Sequence, residues 1–203
     1  MRVDTRTRLA MLTVLGALAV LAALSFFAPR ATGARIDCRF DGSPNNPVCK
    51  GTKKRDTIAG SDGYDEIRAR AGKDNILPRD GGDQVYAGRG GDGVEPSAGS
   101  DRIHGGEGWD GRCSGNLLIA LYGGHGADNI LGGPGEDVLH GGRGKDKLRG
   151  GRGDDLIISR SVSSGADVVR GGSGDDTCLV EPSDRWYGCE LTPPQAVVCG
   201  DQM

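Results

Sequence analysis

Between residues 51 and 179 the chain repeats one pattern of apolar and polar positions every nine residues. Residues 123–149 show it plainly as GGHGADNIL, GGPGEDVLH and GGRGKDKLR. With Gly123 as position 1, the frame runs without a gap from Gly51 to Ile158, which makes twelve units. After a three-residue insertion, Ser159–Ser161, it resumes for two more, from Val162 to Leu179. Position 8 is Ile, Leu or Val in twelve of the fourteen units, position 6 is Asp in thirteen and position 4 is Gly in twelve. A lone aliphatic residue between two variable ones predicts a three-residue strand with its middle side chain turned inward, because strand side chains alternate. The six residues before it, GGxGxD, predict a loop that reverses the chain, since glycine tolerates the tight, partly left-handed conformations this requires.

Some units depart from the pattern. Arg70 and Arg79 stand at position 2, where the full motif has glycine. Unit 114–122, SGNLLIALY, keeps the length but loses the glycines and the Asp, with Ile119 in the Asp position. It reads either as a degenerate coil whose Leu121 still fills the core, or as an apolar docking patch of Leu117, Leu118 and Ile119. Arg112, at position 8 just before it, signals local irregularity.

Composition agrees with a regular architecture. The 203 residues include 37 glycines and only 4% aromatics, too little bulk for a conventional core and without the third-residue period of collagen. Residues 1–34 carry a basic start and an apolar run, Leu9–Ala28, followed by small residues. This is the layout of a secretory signal peptide, and at about 20 residues it is also long enough for a retained membrane anchor. The chain is therefore expected to be secreted or extracellular, with membrane contact only if that segment stays. Residues 35–203 carry 21 Lys and Arg against 27 Asp and Glu. That acidic balance predicts no nucleic-acid partner, because such binders show a basic stripe. Six cysteines, all after residue 34, predict disulfides in an oxidising compartment.

These units match GGxGxDxUx, and the chain resembles the RTX, or hemolysin-type, calcium-binding repeat family over residues 51–179. The resemblance implies an all-β fold, a parallel β-roll: a right-handed β-solenoid with two nonapeptides per coil. The residues' own geometry agrees. Two units make an eighteen-residue coil with a strand on each side, and stacked coils form two parallel sheets.

Two units per coil place each position-6 Asp about 4.8 Å from that of the unit after next. Carboxylates stacked so closely repel, and each is driven towards protonation. A divalent cation between them reverses the sign of that interaction. Calcium suits because it accepts six to eight hard oxygens, backbone carbonyls included. The resemblance implies several Ca2+ ions between successive loops. The candidate metal residues are those of the six full-motif units: Asp110, Asp128, Asp137, Asp146, Asp155 and Asp176, with Gly106, Gly108, Gly124, Gly126, Gly133, Gly135, Gly142, Gly144, Gly151, Gly153, Gly172 and Gly174. The column rule predicts the pairs Asp110/Asp128, Asp128/Asp146, Asp137/Asp155 and Asp155/Asp176. Sites among the early units are expected to be weaker or empty.

A solenoid needs caps at its open ends. Residues 35–50 read as one, closed by Cys38–Cys49, and residues 180–203 as the other, with Cys178–Cys189 the preferred bridge and Cys113–Cys199 left to pair. The three histidines fall at variable repeat positions, and no HExxH, GxSxG, P-loop or zinc pattern occurs. The function expected is thus a non-enzymatic calcium-binding repeat protein whose protein or polysaccharide partner is open. The alternatives are a binding module acting through 114–122 and a β-helix polysaccharide lyase. Near-regular loops leave a lyase no long insertions from which to build a groove.

Overall fold

The computed structural model describes residues 34–38, 48–95, 97–114, 117–159 and 165–191, with the side chains of 112–119 and 191 excepted. The apolar segment before residue 34 and the Cys113–Cys199 pairing lie outside the described residues.

Short strands alternate between two parallel sheets, one of ten strands and one of eight, and each wind of the chain adds one strand to each. The nonapeptide sets the register. Ile58 lies beside Ile76 in the ten-stranded sheet, and Ile67 beside Val85 and Val85 beside Ile103 in the eight-stranded one, each eighteen residues apart. The architecture is therefore an all-β parallel β-solenoid of about seven turns.

Position-8 side chains make the core. Ile58, Ile76, Val94, Leu121, Leu139 and Ile157 line one sheet, and Ile67, Val85, Ile103, Ile130, Leu148 and Val169 the other; all are buried in one cluster. Burying such a side chain contributes roughly 1.5–3 kcal/mol. A core one aliphatic residue deep per strand is thin, and the loops must contribute the rest of the order.

The column order departs from the expectation at unit 114–122. Leu121 does fill the core, beside Val94 and Leu139. The residues before it are not a half-coil. Arg112–Ser114 and Leu117–Ile119 pair antiparallel with each other in a separate two-stranded sheet. Arg112–Ser114 and Leu117–Ile119 thus stand outside the two large sheets, and the stacking distance across them rises from eighteen to twenty-seven, as in Ile103 beside Ile130. The insertion has the length of the repeat, so it leaves the frame of nine intact while exchanging the two loop columns below it. The three-residue insertion after Ile158 does the opposite: it breaks the frame and keeps the columns, with Leu148 beside Val169 twenty-one residues on.

The segments at the ends extend the same two sheets. Arg35–Asp37 pairs with Thr57–Ala59, and Val48–Lys50 with Glu66–Ala71. At the other end Arg185–Tyr187 pairs with Val168–Ser173, and Glu190–Leu191 with Thr177–Leu179. Cys38 is bonded to Cys49 and Cys178 to Cys189, with Cα atoms 5.6 and 5.7 Å apart. Cys49 and Cys178 occupy core positions at the two ends, where an aliphatic residue would otherwise face an open coil.

Candidate metal site

Each position-6 Asp is built into one of two ladders that run along the roll. The Asp128 N–H donates to Oδ1 of Asp146 at 2.9 Å, and the Asp137 N–H to Oδ1 of Asp155 at 2.9 Å. The first ladder runs Asp56, Asp74, Asp92, Asp110, Asp137, Asp155, Asp176. The second runs Asp65, Asp83, Asp101, Asp128, Asp146, Asp167 and ends on Asp184. The pairs Asp128/Asp146, Asp137/Asp155 and Asp155/Asp176 are neighbours as the column rule predicts. Asp110/Asp128 are not: the nine-residue hairpin brings Asp110 onto Asp137 and Asp128 onto Asp101.

The ladder uses almost every polar atom of these residues. Each Asp carbonyl accepts from the residue that opens the strand one coil on, as when Lys147 N–H donates to Asp128 at 2.8 Å. N–H, C=O and Oδ1 are then committed, and Oδ2 remains. It is buried without a partner among the described residues at Asp74, Asp83, Asp92, Asp110, Asp128, Asp137, Asp146, Asp155, Asp167 and Asp176; at Asp65 the orphan is Oδ1. An unpaired buried carboxylate oxygen is costly, and here it recurs at nearly every rung.

The electrostatics follow. Burial pushes the carboxyls of Asp83, Asp92, Asp110, Asp128, Asp137, Asp155 and Asp167 up to about 7, against the relief given by the ladder N–H, and neighbouring carboxylates add to the rise. Asp74, Asp101 and Asp146 are raised for the same leading reason.

The glycines shape the loop around this column. All twelve candidate glycines have φ between +103° and +142°, the region that disfavours side chains. A Cβ on Gly144 would also run into the Gly126 carbonyl one coil before. The position-1 glycines have a different role, which the sequence analysis missed. At Gly123, Gly132 and Gly150 a Cβ would take the place of Oδ2 of the Asp in the same unit, so the first glycine of the GG pair makes room for the carboxylate.

Two early rungs are closed without a cation. Thr52 Oγ1 donates to Asp56, and Ser97 Oγ donates to Oδ2 of Asp101 at 2.6 Å, so neither Asp keeps an orphaned oxygen. Asp184 is also satisfied, through Ser159 Oγ and the Glu181 N–H. It was missed because it sits one place early for the frame. Asp74, Asp83 and Asp92, by contrast, carry the same orphan as the full-motif units, although Arg70 and Arg79 replace glycine in the units of the first two.

Orphaned carboxylate oxygens beside a turned-in backbone suit a hard cation. Among the described residues no three His, Cys, Asp or Glu side chains converge on one point, so side chains alone do not form a cage. The donor set must include carbonyl oxygens, which calcium accepts and softer metals disfavour. The RTX calcium-binding nonapeptide repeat profile matches the chain in four copies, at residues 51–85, 97–110, 122–157 and 162–179.

The chain belongs to the RTX calcium-binding nonapeptide repeat family.

No curated protein matches the chain. One gap between the RTX copies, 111–121, covers the hairpin that leaves the solenoid. RTX repeats bind Ca2+, and the orphaned oxygens of this RTX solenoid fit that ion.

Proposed function

We propose that the protein is an exported, non-catalytic calcium-binding repeat protein whose fold depends on several Ca2+ ions held in its glycine loops. Asp110, Asp128, Asp137, Asp146, Asp155 and Asp176 would hold them through the Oδ2 atoms, together with carbonyls of the loops around Gly106, Gly108, Gly124, Gly126, Gly133, Gly135, Gly142, Gly144, Gly151, Gly153, Gly172 and Gly174. When bound, the ion supplies positive charge at oxygens that have no other partner.

The observation that carries this reading is the row of orphaned, buried carboxylate oxygens in both ladders. They oppose a thin core, so the cation-free chain has little to hold it together; binding energy then becomes folding energy. Two disulfides favour an oxidising compartment, where calcium at extracellular concentrations fills even weak sites. The ladder aspartates have three polar atoms committed to neighbouring coils, which suits a structural role better than proton transfer.

The test is a calcium titration of the chain, followed by circular dichroism and calorimetry. Order is expected to rise with bound ion. Equal folding in excess chelator, with no calcium bound, would overturn the reading. The hairpin Arg112–Ile119, standing outside both sheets, favours a second role in docking a partner. Leu118→Asp would then abolish that binding while leaving calcium-dependent folding intact.

A further inference from the structure

The two outer faces of the roll differ in charge. In the ten-stranded sheet the outward positions carry residues such as Ala59, Leu77, Tyr122, His140 and Ile158, and of Lys and Arg only Arg35 and Arg143 among the described residues. In the eight-stranded sheet, registered neighbours Arg102, Asn129 and Lys147 form one outward column, and His104, Leu131, Arg149 and Arg170 the next. Arg102, Lys147, Arg149 and Arg170 are exposed and have no ion-pair partner among the described residues. A groove on this face is lined by His104, Asn129, Lys147, Arg149 and Arg170. Rings lie among the cations: Tyr86 stacks on His104 at 5.2 Å and sits under the Arg68 guanidinium at 5.5 Å.

The acidic balance of the sequence conceals this face. Of the 27 acidic residues after residue 34, thirteen are the position-6 aspartates, and all thirteen are buried. The fourteen that remain are outnumbered by the 21 Lys and Arg. Outside the ladders, residues 35–203 are therefore basic, and most of the cations that lie on the two large sheets are on the eight-stranded one.

We infer that the outer face of the eight-stranded sheet binds a linear acidic polysaccharide. Its cations recur at one strand spacing of about 4.8 Å, as in Arg149 and Arg170, or at two, as in Arg102 and Lys147, which suits an extended chain bearing regularly spaced charges. The exposed ring of Tyr187, in register with Arg170, offers a stacking surface for a sugar face. A broad flat sheet does not enter the major groove of duplex DNA, which admits one helix or a two-stranded ribbon. The disulfides place the chain where acidic glycans are encountered.

The full chain in saturating calcium should be titrated with hyaluronate and dextran sulfate, with neutral dextran, a DNA duplex and phosphatidylglycerol vesicles in parallel. Binding to an acidic glycan that weakens with salt is expected, with none to dextran. The triple variant Lys147→Ala, Arg149→Ala, Arg170→Ala should lose at least tenfold in affinity. The triple variant Lys53→Ala, Arg55→Ala, Lys73→Ala, which removes equal charge from exposed loops, should lose less than threefold. Circular dichroism in calcium checks that both variants fold; if the first does not, Arg149→Gln alone is expected to weaken binding measurably. Equal losses in the two triple variants would overturn the inference, as would binding to DNA or vesicles with none to either acidic glycan, or no binding at all.

Discussion

The Asp101 N–H donates to Oδ1 of Asp128, twenty-seven residues away, at 2.8 Å, whereas the Asp83 N–H reaches Asp101 after eighteen. The extra nine residues are the hairpin segment, and the ladder closes across them with unchanged geometry. The columns of the roll are thus continuous through a gap in the sequence pattern.

Deleting residues 111–119 should therefore leave both ladders intact. With Cys199→Ser included, the variant is expected to keep its β signal by circular dichroism and its calcium stoichiometry by calorimetry. Leu121→Asp, which puts a charge into the core, should unfold the roll at the same calcium concentration. Loss of the calcium sites on deletion would show that the hairpin is part of the stack.

Asp137→Asn and Asp146→Asn should act with opposite sign in the two ionic conditions. The amide keeps an oxygen for the ladder N–H but removes the charge whose burial is unfavourable. In calcium, fewer ions should bind and the melting temperature should fall. In chelator Asp137→Asn should be more stable than the parent by on the order of 1–3 kcal/mol, and Asp146→Asn should shift in the same direction. Asp56→Asn, where Thr52 already satisfies the carboxylate, should change little in either condition.

The pH dependence follows from the raised aspartates. Their ordinary value is 3.8 and the folded, cation-free value about 7 for Asp110, Asp128, Asp137 and Asp155. Between those values the folded state holds more protons than the unfolded one, so stability falls as pH rises through the window. In chelator, denaturant melts at pH 5 should show a more stable roll than at pH 7.5. Calcium affinity should run the other way, because protons and calcium compete for the same oxygens.

Arg70 and Arg79 have φ of 82° and 76°, in the left-handed region that position 2 otherwise fills with glycine. A non-glycine residue there costs roughly 1–2 kcal/mol. Arg70→Gly and Arg79→Gly should each raise the unfolding free energy in calcium, read from denaturant melts, by about 1 kcal/mol, less the entropy that glycine gives the unfolded chain. No change, or a loss, would show that the arginine side chains stabilise the early coils by contacts of their own.

By itself the sequence determined the period, the strand positions and the inward aliphatic residues, since each rests on a strictly local rule: alternation in a strand and glycine in a reversing loop. It also pointed to the aspartates and to the bridges Cys38–Cys49 and Cys178–Cys189 at the two ends. Only the tertiary structure decided which aspartates are neighbours. A nine-residue insertion is invisible to a nine-residue frame, yet it exchanges the loop columns, so Asp110 meets Asp137 rather than Asp128. Only the fold showed that hydroxyls of Thr52 and Ser97 close two rungs, because those contacts depend on how the loop curls back on itself. The charge of the surface was likewise hidden: a summed sequence charge weighs a buried Asp128 and an exposed Arg149 alike, and only folding separates them.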